Sequence, residues 1–172
     1  MSWTLSDEVL HLCVEKGVGD GVLFALYKMG GNVNSVRLDR TPLQLAAENG
    51  DAVMVRLLIK HGAELNAWTD IGVTALCLAA ENGHEAIVRF LVERGADVTS
   101  GDEDVFEETD PFFAAAANGH TAIVEFFLTD HGASVDVRES ELGRTALAVA
   151  SWNGHASVVK LLIDHGSDVN VL

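Results

Sequence analysis

Five glycines recur along the chain, Gly17, Gly50, Gly83, Gly119 and Gly154, separated by 33, 33, 36 and 35 residues. A period of that length means that one supersecondary unit is copied, and a single copy cannot bury its own apolar face. The copies must therefore stack. Each glycine ends a short helical stretch, "LHLCVEKG", "LQLAAENG", "LCLAAENG", "FFAAAANG" and "LAVASWNG". A second series, Gly30, Gly62, Gly95, Gly132 and Gly166, closes a second apolar helix in each copy, as in "VRLLIKHGA" and "VKLLIDHGS".

The helix starts are chemically explicit. Thr41, Thr74, Asp110 and Thr145 stand where a side-chain oxygen can cap free backbone N–H groups. Pro42 and Pro111 follow directly, at the first helical position, where a missing N–H costs nothing. The second-series glycines suit the left-handed residue that ends a helix. After each comes a short extended piece ("AELNAW", "ASVDVR") that can project as a finger. The pairs Ala46–Ala47, Ala79–Ala80 and Ala115–Ala116 are small enough to let neighbouring helices approach closely.

"TPLQLAAENGDAVMVRLLIKHGAELNA" and "VTALCLAAENGHEAIVRFLVERGADV" closely resemble the ankyrin repeat, with its T-P-L-x-L-A-A-x-x-G-H and following I-V-x-x-L-L-x-x-G-A-D-V-N. The resemblance runs from about Leu5 to Leu172. It divides a single domain, 1–172, into units of approximately 5–34, 35–68, 69–101, 102–138 and 139–172. The first is degenerate, with Glu8 and Val9 in place of Thr-Pro and Val18 in place of His, which suits a terminal cap. The resemblance implies an all-α solenoid of stacked helix-turn-helix units with β-hairpin fingers. It also implies a non-enzymatic module that binds proteins through finger tips and first helices lining a concave face.

Charge narrows the partner. Eleven Lys and Arg stand against 26 Asp and Glu, a net charge of −15. That sign repels phosphate backbones and anionic lipid, so neither nucleic acid nor membrane is an expected partner, and a basic protein segment is. Cys13 and Cys77, far apart and each in an apolar helical pattern, read as free thiols. The opening "MSWTLSDEVLHLCVEKG" lacks a basic lead and a long apolar run, so it does not read as a signal peptide. These features point to a cytoplasmic or otherwise intracellular setting, with the nucleus left open.

The residues that invite chemistry fall into repeat columns. His84, His120 and His155 follow the repeat glycine, while His61, His131 and His165 precede the second one. In such columns an imidazole bonds loop backbone, and no H-E-x-x-H or C-x-x-C motif supports a metal. "GVGDG", residues 17–21, is a turn in the repeat register, with no strand before it to make a phosphate loop. The acidic "DEDVFEETD" lacks the glycine that a calcium loop needs. No catalytic residue, metal or cofactor is therefore expected.

What differs between copies is more informative. Two positions before the repeat glycine the chain reads Glu15, Glu48, Glu81, Ala117 and Trp152, a column that in the family faces the concavity. Trp152 there is large and amphipathic, as binding anchors are. Trp68 and Asp70 lie in the finger after the second unit, and Arg144 in the finger before the last. With Glu48 and Glu81, Trp68 could hold a partner's Lys or Arg by charge and cation–π contact. Phe106 sits in the acidic insertion of the third connection. "TDPFFAAAANGH" adds two phenylalanines. Phe112 falls in the core column of Leu43, Leu76 and Leu147, its bulk offset by Ala114 where other copies have Leu45, Leu78 or Val149. Phe113 falls in the column of Gln44, Cys77 and Ala148, which reads as more exposed, and stays open between packing and binding.

Three functions follow. The first is an adaptor or inhibitor that docks a partner with basic residues. The second is a small-molecule or catalytic groove built from Phe113, Trp152 and Glu81. The third is a scaffold that assembles through an uncapped last helix pair, the chain otherwise being a monomer or weak oligomer.

Overall fold

A computed structural model describes residues 4–68, 72–98, 110–136, 138 and 143–170. Its helices come in antiparallel pairs: α1 (Leu5–Glu15) with α2 (Gly19–Lys28), α3 (Pro42–Glu48) with α4 (Ala52–Lys60), and α5 (Ala75–Glu81) with α6 (Glu85–Glu93). Then follow α7 (Pro111–Ala117) with α8 (Thr121–Asp130), and α9 (Ala146–Trp152) with α10 (Ala156–Asp164). The first helices pack in succession, α1 on α3, α3 on α5, α5 on α7 and α7 on α9. The second helices do the same from α4 to α10. The expected all-α stack is observed.

Local chemistry sets the helix ends. Thr41, Thr74, Asp110 and Thr145 accept hydrogen bonds from backbone N–H groups of the first turn. The first pair differs from its counterparts. Thr4 caps α1 through a reciprocal box with Asp7, so α1 has eleven residues where its counterparts have seven. "TLSD" carries that signal in the sequence. The second-series glycines all take the left-handed backbone, with φ from 64° to 91°.

The core runs through the pairs as a row of columns. Ala46, Ala47, Ala79, Ala80, Ala115 and Ala116 are fully buried, and their small side chains let the first helices lie close together. Phe112 is buried as its column predicts, with 2% of its surface exposed. The fingers are shorter than the expected hairpins. Among the described residues they are single antiparallel bridges, Arg37 to Arg40 and Arg138 to Thr145.

Two sets of side chains tie successive pairs together. The Nε2–H groups of His84, His120 and His155 donate to the carbonyls of Glu48, Glu81 and Ala117, at 3.0, 2.8 and 3.0 Å. A carbonyl only accepts, so each of these rings carries a proton on Nε2. In the loops, Asn34 accepts from the Glu64 N–H, Asn66 from the Asp97 N–H and Asp136 from the Asp168 N–H. The first histidine column thus bonds backbone of the preceding pair, at the ends of α3, α5 and α7. In the second column His61 instead meets the Tyr27 hydroxyl, and His165 bonds the Leu161 carbonyl of its own helix. Among the described residues no group of three or more His, Cys, Asp or Glu side chains is arranged to hold a metal ion.

Candidate protein-binding face

The column two residues before the repeat glycine lies at the C-terminal end of each first helix, and its charge changes along the stack. Glu15 pairs with Arg37 at 3.1 Å and Glu48 with Arg40 at 3.3 Å, so the first two carboxylates are held by the finger between them. Glu48 is therefore already engaged by a cation from its own chain. Glu81 is exposed, and among the described residues no cation pairs with it. Ala117 follows, and then Trp152, whose side chain is 86% exposed.

The fingers add two apolar groups. Trp68 is 62% exposed after the second pair. Leu38, at the tip of the first finger, is 84% exposed and was not singled out from the sequence. The readable signal is "RLDR", an apolar residue in a two-residue turn between arginines. Leu38 and Asp39 both take positive φ, 48° and 60°, with Arg37 and Arg40 exchanging two backbone hydrogen bonds of 2.9 Å. That backbone is the two-residue hairpin turn that matches strand twist.

Phe113 corrects the reading of its column as exposed. It is only 6% exposed and belongs to the core, so it presents no surface to a partner. The column misleads because Gln44 is polar yet buried. Its Nε2 donates to the carbonyls of Ala67 and Val73, both at 2.9 Å, while its Oε1 accepts from Thr41 N–H at 2.7 Å. A fully paired amide can be buried without penalty, and it braces the finger that carries Trp68. In the same column Cys77 is buried, and desolvation first, then Glu81 and Asp110, push its thiol up to about 12. Cys77 is thus a neutral packing group at physiological pH.

Arg144 and Trp152 are the two sequence-selected residues that the structure brings into one cavity. They rim an open cleft of ≈ 650 Å³ with Leu147, Ala148, Ser151, Val159, Ile163 and Val169. The lining is mostly apolar, and Arg144 is its single ionisable group. Asp70 and Phe106 lie outside the described residues. No helix among the described residues is long and apolar enough to cross a membrane.

The family model of ankyrin repeats matches the sequence in three copies, over residues 10–102 and 100–172. No curated protein matches the sequence.

Proposed function

The chain belongs to the ankyrin-repeat family, whose repeats are in general protein–protein interaction modules, and on that footing we propose that it docks a basic segment of another protein. The segment lies along the first-helix face of the later repeats, and the chain acts as an adaptor or inhibitor. The observation that carries this reading is Trp152. It is 86% exposed in the column that also presents the Glu81 carboxylate. A tryptophan left in water in the same column as the Glu81 carboxylate suits an anchor, with a Lys or Arg of the partner drawn to Glu81 by charge. Trp68 and Leu38 extend the contact to the fingers. Asp70, Arg144 and the Phe106 loop are candidate secondary contacts.

The reading needs neither cofactor nor metal, and repeat proteins of this family are typically non-enzymatic. The small-molecule groove built from Phe113, Trp152 and Glu81 loses its aromatic wall to the core. A peptide array rich in Lys and Arg, probed with the wild-type chain and with Trp152→Ala and Glu81→Gln variants, tests the proposal. We expect Trp152→Ala to weaken the best binders by about tenfold or more, which is about 1.4 kcal/mol. The association rate should fall as salt rises. Peptides held equally by wild type and both variants would overturn it.

A further inference from the structure

Eight of the twelve exposed large hydrophobics among the described residues lie in the first and last repeats. The repeat register shows what they are. Val159 occupies the column of Val55, Val88 and Val124, each fully buried by the pair that follows, yet Val159 is only half-buried. Ile163, at 45% exposure, and Val169 lie open on the same end. At the other end Leu12, 50% exposed, shares a column with the buried Leu78, Ala114 and Val149. Phe24, 56% exposed, shares one with the buried Phe90 and Phe126. The two ends carry the two halves of an internal interface.

The cation–π contacts make the match specific. The Arg56 guanidinium on α4 lies 4.0 Å from the ring centre of Phe90 on α6, and that of Arg89 on α6 lies 4.4 Å from Phe126 on α8. Each joins the residue six after one repeat glycine to the ring seven after the next. The last pair has Lys160 in the cation column, and the first pair has Phe24 in the ring column. Within one chain these two groups stand at opposite ends of the stack.

We propose that a second copy of this chain stacks its first helix pair on the last pair of the first, head to tail. Lys160 then lies over Phe24 of the second copy, and Val159, Ile163 and the cleft beside α10 receive Leu12 and its neighbours. The register of Tyr27, whose hydroxyl meets His61 Nδ1 at 3.0 Å, sets Asp164 opposite Lys28 of the second copy. Lys28 also holds the place of Asp130, which Arg89 reaches at 3.7 Å, so Asp164 is the counter-charge for both lysines. Two internal rungs have no equivalent. Val18 stands where the imidazoles stand, and the Asn32 N–H is already bound by Asp7 at 2.9 Å. The contact is accordingly weaker than an internal one, a transient and not a permanent assembly. It is heterologous, so it propagates into open chains unless the rotation closes.

Sedimentation of the full chain from about 5 to about 300 µM tests this, with added salt to relieve repulsion between copies of charge −15. Wild type should grow beyond a dimer, and more so as salt rises, the reverse of the salt effect expected for a basic partner. Phe24→Asp and Ile163→Asp, both at exposed positions, should each stay monomeric with an unchanged circular dichroism spectrum. Mixed together they should form a dimer and nothing larger, because each retains one intact end. Lys160→Ala should weaken growth by about twofold to fivefold. A wild type that stays monomeric throughout, a symmetric dimer that either variant alone still forms, or a mixture that fails to pair would each overturn the proposal.

Discussion

Gly21 has no room for a side chain, because a β-carbon there would stand 2.6 Å from the Cys13 sulfur. Gly21→Ala should therefore cost about 1–2 kcal/mol in urea unfolding, helix propensity offsetting part of the clash. Adding Cys13→Ala removes the obstructing sulfur, and the double variant should be more stable than Gly21→Ala alone. Leu38 carries the opposite kind of strain, an L-residue with a branched side chain held at φ 48° for the sake of a tight turn. Leu38→Asn should raise stability by about 1 kcal/mol, read as a higher Tm, because Asn tolerates the left-handed region. His11 is buried, with Nε2 donating to the Ser35 carbonyl at 3.1 Å. Burial, the largest influence, holds its pKa below 6.5 despite the Ser35 bond and nearby Asp7 and Glu15. The unfolded chain then binds the proton more readily than the folded one between the lowered value and 6.5. Stability must fall with falling pH across that window and is fully present above it. His11→Gln should flatten that slope in denaturation midpoints measured between pH 7 and pH 5.

At the scale of the element, a seven-residue helix is too short to persist alone, so the first helices depend on the rungs between pairs. The repeat glycine and the next histidine form one device. At Gly83 the backbone turns with φ 76°, and an added β-carbon would meet the His120 ring at 2.6 Å. Gly95 has a similar φ of 91° but open space around it. Gly83→Ala should thus cost about 2–4 kcal/mol, from strain and displaced imidazole together, and Gly95→Ala only about 1–2 from strain. Equal losses in chemical denaturation would show that the ring moves aside freely. The period in the sequence marks both glycines alike. Their difference lies in what the neighbouring pair presents.

For the whole molecule, the rungs are unequal. Asp51 takes the histidine position in the second pair and caps its own helix, accepting from Met54 N–H at 2.9 Å. It offers the first pair no donor of the kind His84 offers the second. The first pair should consequently open at lower free energy than the middle of the stack. Hydrogen exchange should show α1 and α2 less protected than α5 and α7, as expected when stability is a sum of neighbour terms. Uniform protection from end to end would count against this. The same nearest-neighbour logic leaves both end faces apolar.

The sequence by itself determined the repeat, the all-α stack, the caps at Thr41, Thr74, Asp110 and Thr145, and the core place of Phe112. Those features are local or periodic, and residue type at a fixed spacing is enough to read them. The burial of Gln44 and Phe113 was decided only in three dimensions. Whether a column faces solvent depends on the finger carbonyls and the next helix pair, which lie 23 or more residues away for Gln44. The same is true of Glu48, neutralised by Arg40, and of Glu81, which has no such neighbour among the described residues. It is true again of Leu38, whose exposure follows from a turn with two left-handed residues. Periodicity sets what each pair is made of. Contact with the next pair sets which of its side chains remain free to act.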